Sequence, residues 1–243
     1  MSFLLLCFAQ TDEAWIRRVL DASAPLAERE AAVKSLAKTR AGGTALLDLA
    51  DSGKLPDELK ATAAFACAAS PDAGVRVAGA KKLPLPKSRD GTPLPPIAKL
   101  VEMPGDPKSG AAVYRNPKGP NCIACHQIGE EGKLVGPPLT TIGQKLSKEQ
   151  MLEAILTPSA SILMSFENWV VRTKDGEIKN GILTEDTDDH VTLKDAQGEF
   201  IDIPVASIAL KKQLKLSLMP EGLTSAMSVQ ELADLVEYLT RQR

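Results

Sequence analysis

The chain has 243 residues, room for one large domain or two small ones of ~100–200 residues each. It is 44% hydrophobic and 25% charged with a formal net charge of −2, a globular balance that gives no electrostatic argument for nucleic acid or for an anionic membrane surface. Aromatic residues make up only 4%, and either small alanine-rich helices or a bound flat apolar group accounts for that.

The N-terminus, MSFLLLCFAQ, carries an apolar run from Phe3 to Ala9. This is close to the lower limit for the ~7–15-residue apolar core of an export signal, and no Lys or Arg precedes it. A signal-peptide remnant over residues 1–10 and an apolar segment packing on the first helix are both compatible with it. Leu6 stands where a lipid-anchored Cys7 would need a small residue. No run approaches the ~20 apolar residues of a spanning helix, so no membrane span is expected.

Residues 11–82 read as alanine-dense helices. AEREAAVKSLAK and PDELKATAAFACAAS place apolar residues at three- and four-residue steps, and a repeat of about thirty residues sets Ala32, Val33 and Leu36 over Ala63, Ala64 and Cys67. Helix pairs at this period resemble HEAT-like repeats; two units fall short of the three a solenoid needs, so a small helical module is expected. Cys67 lies on an apolar face and reads as a buried small hydrophobe. Between Leu83 and Pro107 stand seven prolines, which can neither continue a helix nor sit in a central strand. Residues 83–105 are therefore expected to form an extended linker.

From residue 106 a short helix, DPKSGAAVYRN, should carry Gly110 and Tyr114 on one face, and GPNCIACHQIG follows. A Cys-x-x-Cys pair has three readings. A closed zinc site needs four ligands. Cys7, Cys67 and His190 supply no second cluster at finger, ribbon or knuckle spacing. A redox pair needs an exposed thiol at a helix N-terminus after a strand, and VYRNPKGPN is a polar turn. Covalent haem attachment uses all three residues: two thiols on one turn of chain reach the two vinyl groups, and the next residue, His126, is carried under the ring as an axial ligand.

Beyond the motif, LVGPPLTTIG is a Gly/Pro loop, SKEQMLEAILTPS a helix with a capping box of Ser147 and Gln150, and MSVQELADLVEYLTRQ a second such helix, boxed by Ser228 and Glu231. Between them, at about residues 166–210, the apolar period changes to two. Four short strands are expected, with turns at Asp175-Gly176, Thr187 to Asp189 and Gln197-Gly198. His190 opens the third of these as a solvent-side strand residue. The insertion reads as self-contained. The fold class is thus mainly α with a β insertion: HEAT-like helices, then a helical domain at residues 106–243 interrupted by an antiparallel meander or small barrel.

CIACH, VGPPL, ILTPSASI, KDGEIKNGIL, SLMPEGL and QELADLVEYL occur in that order. Together they resemble the planctomycete-type haem-binding domain, a c-type cytochrome in which a β insertion precedes the last helix. The resemblance implies one covalent haem c, thioethers at Cys122 and Cys125, His126 as proximal ligand, the Pro137 carbonyl as acceptor of its Nδ1–H, and Met219 as distal ligand. At Pro138 relatives usually carry a polar residue, so no side-chain role carries over there.

Met219 also has support of its own, since a thioether suits haem iron and MPEGL is a tight loop able to present one. Met151 and Met164 read as core, and Met227 lies beside a helix cap. No carboxylate pair, nucleophile with base or phosphate loop suggests an enzyme. The expectation is single-electron transfer to or from a protein partner, docked through the helical module or the insertion, in a periplasmic or cell-surface setting. The alternatives are a haem-based module for small-ligand binding, sensing or partner recognition in which the distal ligand is open or displaced, and an insertion that binds a carbohydrate or peptide while the haem serves as its electron port.

Overall fold

The computed structural model describes residues 12–243, so the expected signal remnant and Cys7 lie outside the described residues. The chain divides into two compact units, the first ending at Glu102 and the second running Met103–Arg243.

The first unit holds α1 (residues 12–20), α2 (Leu26–Leu36), α3 (Arg40–Asp51), α4 (Lys60–Ala68), α5 (Ala73–Lys82) and α6 (Ile97–Glu102). Side-chain caps start two of them: Thr39 accepts from the Gly42 amide at 2.9 Å and Asp72 from the Val75 amide at 3.0 Å. α2 packs on α4 and α3 on α5. Val33, Leu36, Leu46, Leu59, Ala63 and Cys67 are completely buried between them. Small residues let the helices approach closely; a Cβ on Gly43 would stand 2.6 Å from a Val75 methyl, and one on Gly79 2.8 Å from the Cys67 Cβ. The buried Arg29 is satisfied by the Val19 carbonyl at 3.1 Å and by Glu58 at 2.8 Å, as a desolvated charge must be.

Residues 83–105 do not run as an extended linker. The prolines end α5, yet the leucines between them are buried: Leu83, Leu94 and Leu100 all turn inward. Leu94 donates its amide to the Pro86 carbonyl at 2.8 Å, around a turn closed by Ser88 and Gly91. The segment then coils into α6 and belongs to the first unit as far as Glu102.

The second unit carries α7 (Pro107–Arg115), β1 (Gln127–Ile128), β2 (Glu131–Gly132), α8 (Ile142–Lys145), α9 (Lys148–Leu156), the strands of the insertion and α10 (Val229–Thr240). Both expected capping boxes form, at Ser147/Gln150 and Ser228/Glu231. α10 buries Leu232, Leu235, Val236 and Leu239 and crosses α7 at very close range. A Cβ on Gly110 would lie 2.0 Å from the Asp234 carbonyl oxygen. The crossing is pinned by Asp106, which caps α7 with its carboxylate while its amide donates to the buried Asp234 Oδ1 at 2.8 Å.

The insertion is a five-stranded antiparallel sheet rather than four strands: β3 (Asn168–Thr173), β4 (Ile178–Asp186), β5 (His190–Lys194), β6 (Phe200–Pro204) and β7 (Ile208–Gln213), in spatial order β6-β5-β4-β3-β7. The fifth strand escaped the local pattern because it pairs back onto the first, Lys212 opposite Val170. β6 and β7 are therefore opposite edges, yet only Val205–Ser207 join them. In a flat sheet those edges would be ~19 Å apart, and three residues reach at most ~14 Å, so the sheet must curl towards a barrel. Register shifts at Arg172/Thr173 and Leu183/Glu185 help it bend. Val171, Val191, Leu193 and Ile203 fill the interior.

Candidate functional site

The Cys-x-x-Cys-His segment starts at Asn121, whose φ of 51° breaks the preceding turn, and Cys122–Ala124 then form one 3₁₀ turn. The Cys122 carbonyl accepts from the amides of Cys125 at 3.1 Å and His126 at 2.9 Å. One turn of chain thus presents two free thiols and an imidazole.

The residues after the motif fold back onto it. β1 and β2 make a small hairpin, and Val135 and Gly136 donate their amides to the Cys125 carbonyl at 3.0 and 2.7 Å. This brings the Pro137 carbonyl 2.7 Å from His126 Nδ1. A carbonyl can only accept, so the proton sits on Nδ1 and Nε2 keeps its lone pair. Burial pushes the imidazole's pKa down, and the Pro137 bond only partly opposes this. The ring is neutral at pH 7, the form that ligates a metal.

Two residues without an expected site role brace the histidine. The Tyr114 hydroxyl donates to the His126 carbonyl at 2.6 Å, and burial raises that phenol to about 12, so it stays a donor. The spacing of Gly110 and Tyr114 on α7 marked the face but not this bond. Gly136 passes against the imidazole itself: a Cβ there would be 2.6 Å from Cε1.

Burial drives the Cys122 thiol up to about 11 and raises Cys125 as well. A nucleophilic redox pair requires the opposite shift. Among the described residues no group of three or more His, Cys, Asp or Glu side chains could hold a metal ion. Two thiols on one turn and a neutral imidazole with one committed nitrogen fit a covalently carried haem.

Met219 stands on a different loop, between β7 and α10, and is partly buried. Its amide donates to Ser217 Oγ at 3.1 Å. The Ser217 amide donates to Ser159 Oγ at 3.2 Å, and the Ser159 hydroxyl to Glu221 at 2.8 Å. The loop is thereby tied to the turn after α9. Met151 and Met227 are core, but Met164, expected there too, is 80% exposed. His190 opens β5 beside Glu185 and Thr187.

One turn of chain bearing two thiols, followed by a histidine with one committed nitrogen, is the arrangement of residues that a covalently carried haem uses. Residues 107–197 match the family model Cytochrome c. The match supports a haem-binding c-type cytochrome domain with covalently bound haem c, and it ends before the Met219 loop. No protein in the curated comparison set matches the chain. Among the described residues no helix is long and apolar enough to cross a membrane.

Proposed function

We propose that this chain binds one haem, through thioethers to Cys122 and Cys125, and passes single electrons to or from a protein partner. The observation that carries the reading is the 2.7 Å bond from His126 Nδ1 to the Pro137 carbonyl within a Cys-x-x-Cys-His turn. In this reading His126 is the proximal ligand, and that bond fixes its ring plane and raises the donor strength of Nε2. Met219 is the distal ligand in this reading, its soft thioether presented by a loop anchored at Ser159. Bound haem supplies a one-electron iron couple, which histidine and methionine together bias toward a higher potential.

The wider assignment follows from the resemblance to the planctomycete-type haem domain. The first unit acts as a HEAT-like module that docks a partner or a larger oxidoreductase system, and the setting is periplasmic or cell-surface, where haem is joined to such motifs in bacteria. Expression with an export signal and haem-maturation machinery, followed by a peroxidase stain of a denaturing gel, tests the central point. Thioethers survive denaturation, so a stained full-length band is expected. An unstained band beside a stained control cytochrome removes the reading.

A further inference from the structure

The insertion reaches the proximal side of the candidate site through one hairpin. β5 and β6 are joined by a rigid turn in which Asp195 Oδ1 accepts from the amides of Gln197 and Glu199, both at 2.9 Å, and the Gly198 amide returns to the Asp195 carbonyl at 3.0 Å. Two lysines cross from this hairpin to the loop after the motif in opposite directions. Lys194 Nζ donates to the Leu134 carbonyl at 3.0 Å, and Lys133 Nζ donates to the Gln197 carbonyl at 2.8 Å. Between them Gly198 abuts the buried Val135, where a Cβ would stand 3.2 Å from a valine methyl. Lys194 is also held over the Phe200 ring at 4.9 Å.

On its other side the same loop is bonded to the motif. Lys133 donates its amide to the Ile123 carbonyl at 3.2 Å, and Val135 and Gly136 donate theirs to Cys125. The next residue, Pro137, carries the carbonyl bonded to His126. The loop is therefore clamped between the turn that bears the ligands and a hairpin about sixty residues away in sequence.

We propose that the β5–β6 hairpin is a positioning element for the proximal ligand, with Lys194 and Lys133 as the positioning residues that hold the Pro137 carbonyl on His126 Nδ1. The inference rests on the reading of His126 as proximal ligand. It makes the insertion part of the redox centre's tuning rather than an independent appendage. A force applied to the insertion, by a bound partner for example, would reach the iron ligand through residues 133–137.

The sign of a potential shift separates this from simple electrostatics. Removing one positive charge favours the ferric state and lowers the reduction potential. Loosening the Nδ1–H bond makes the imidazole a weaker donor to ferric iron and raises it. In the haem-bearing protein Lys194→Met should therefore raise the potential, with several-fold faster exchange of the Val135 and Gly136 amides, while Lys194→Arg stays at the wild-type values. Lys133→Met, at an exposed side chain, should shift both readings the same way and serves if Lys194→Met fails to accumulate. A lowered or unchanged potential in the Met variants, with haem stain retained, overturns the proposal alone. An unstained wild-type band removes the haem reading and the proposal together.

Discussion

Gly136 lies against the face of the His126 ring, so close that a Cβ would meet three ring atoms, Cε1 at 2.6 Å, Nδ1 at 3.0 Å and Nε2 at 3.1 Å. Its backbone is not in the left-handed region, so the requirement for glycine is steric alone. Gly136→Ala should shift the ring or the loop and break the bond to Pro137. A stability loss of ~1–3 kcal/mol, the usual range for overpacking, should appear in thermal melts. Spectroelectrochemistry should show a raised potential. A variant with wild-type melting and potential would mean that the ring accommodates a methyl group freely.

Met219→Ala should leave haem attached while opening the sixth position of the iron. The reduced variant should bind carbon monoxide readily and show a lowered potential, because a methionine ligand favours ferrous iron. Two controls bracket it. Met151, only 2% exposed, should lose ~2–5 kcal/mol of stability on truncation; the exposed Met164 should change it by less than ~0.5 kcal/mol. If the sulfur-to-iron band in the red persists in the Met219 variant, another residue is the distal ligand.

The α7–α10 crossing predicts a second steric effect, remote from the iron. Gly110→Ala places a methyl group into the Asp234 carbonyl and the Tyr238 Cβ, and the helix backbones must separate. We expect a loss of ~1–3 kcal/mol in chemical denaturation, with the spectrum of the surviving folded protein unchanged.

Acid should loosen the α9–α10 contact through Glu237. Its carboxylate is largely buried and bonds Lys148 at 2.7 Å and Arg241 at 2.8 Å, and those two bonds, Lys148 first, hold its pKa below the ordinary 4.5. A group whose folded pKa is lowered stabilises the protein above its unfolded pKa, and that stabilisation is lost as pH falls through the folded value. Glu237→Gln should thus cost ~0.5–1 kcal/mol near neutrality. Melting curves followed from about pH 6 down to about pH 3 should converge for the two proteins. A constant gap across that range would show that the charge is not the cause.

Features written within a few residues of chain were legible. The capping boxes at Ser147 and Ser228 need only a partner three positions on, and the turns at Gly176 and Gly198 adopt the positive φ, 95° and 86°, that their glycines allow. The Cys-x-x-Cys-His turn was equally plain, because its geometry is one turn of backbone. Features set by distant partners were not. β7 lacks a clean alternation and exists because β3 offers an edge. Leu94, between prolines, is buried by chain that folds around it. Met164 has apolar neighbours in sequence but an open surface in space. The lysine bonds across the Leu134–Lys194 pair join residues whose spacing carries no period at all.

The sheet leaves the helical framework and returns to it at one point, for the Leu214 amide donates to the Asn168 carbonyl at 2.7 Å. To its host the whole excursion therefore has coincident ends, like the neck of a flask. Loop-closure entropy grows only slowly with contour length, about 0.6 kcal/mol for each doubling. Lengthening, shortening or exchanging the strands above that neck asks little of the helices below it. A lineage could thus vary the curled sheet's outer face freely while the helical frame keeps its geometry, provided the replacement still reaches down to Leu134.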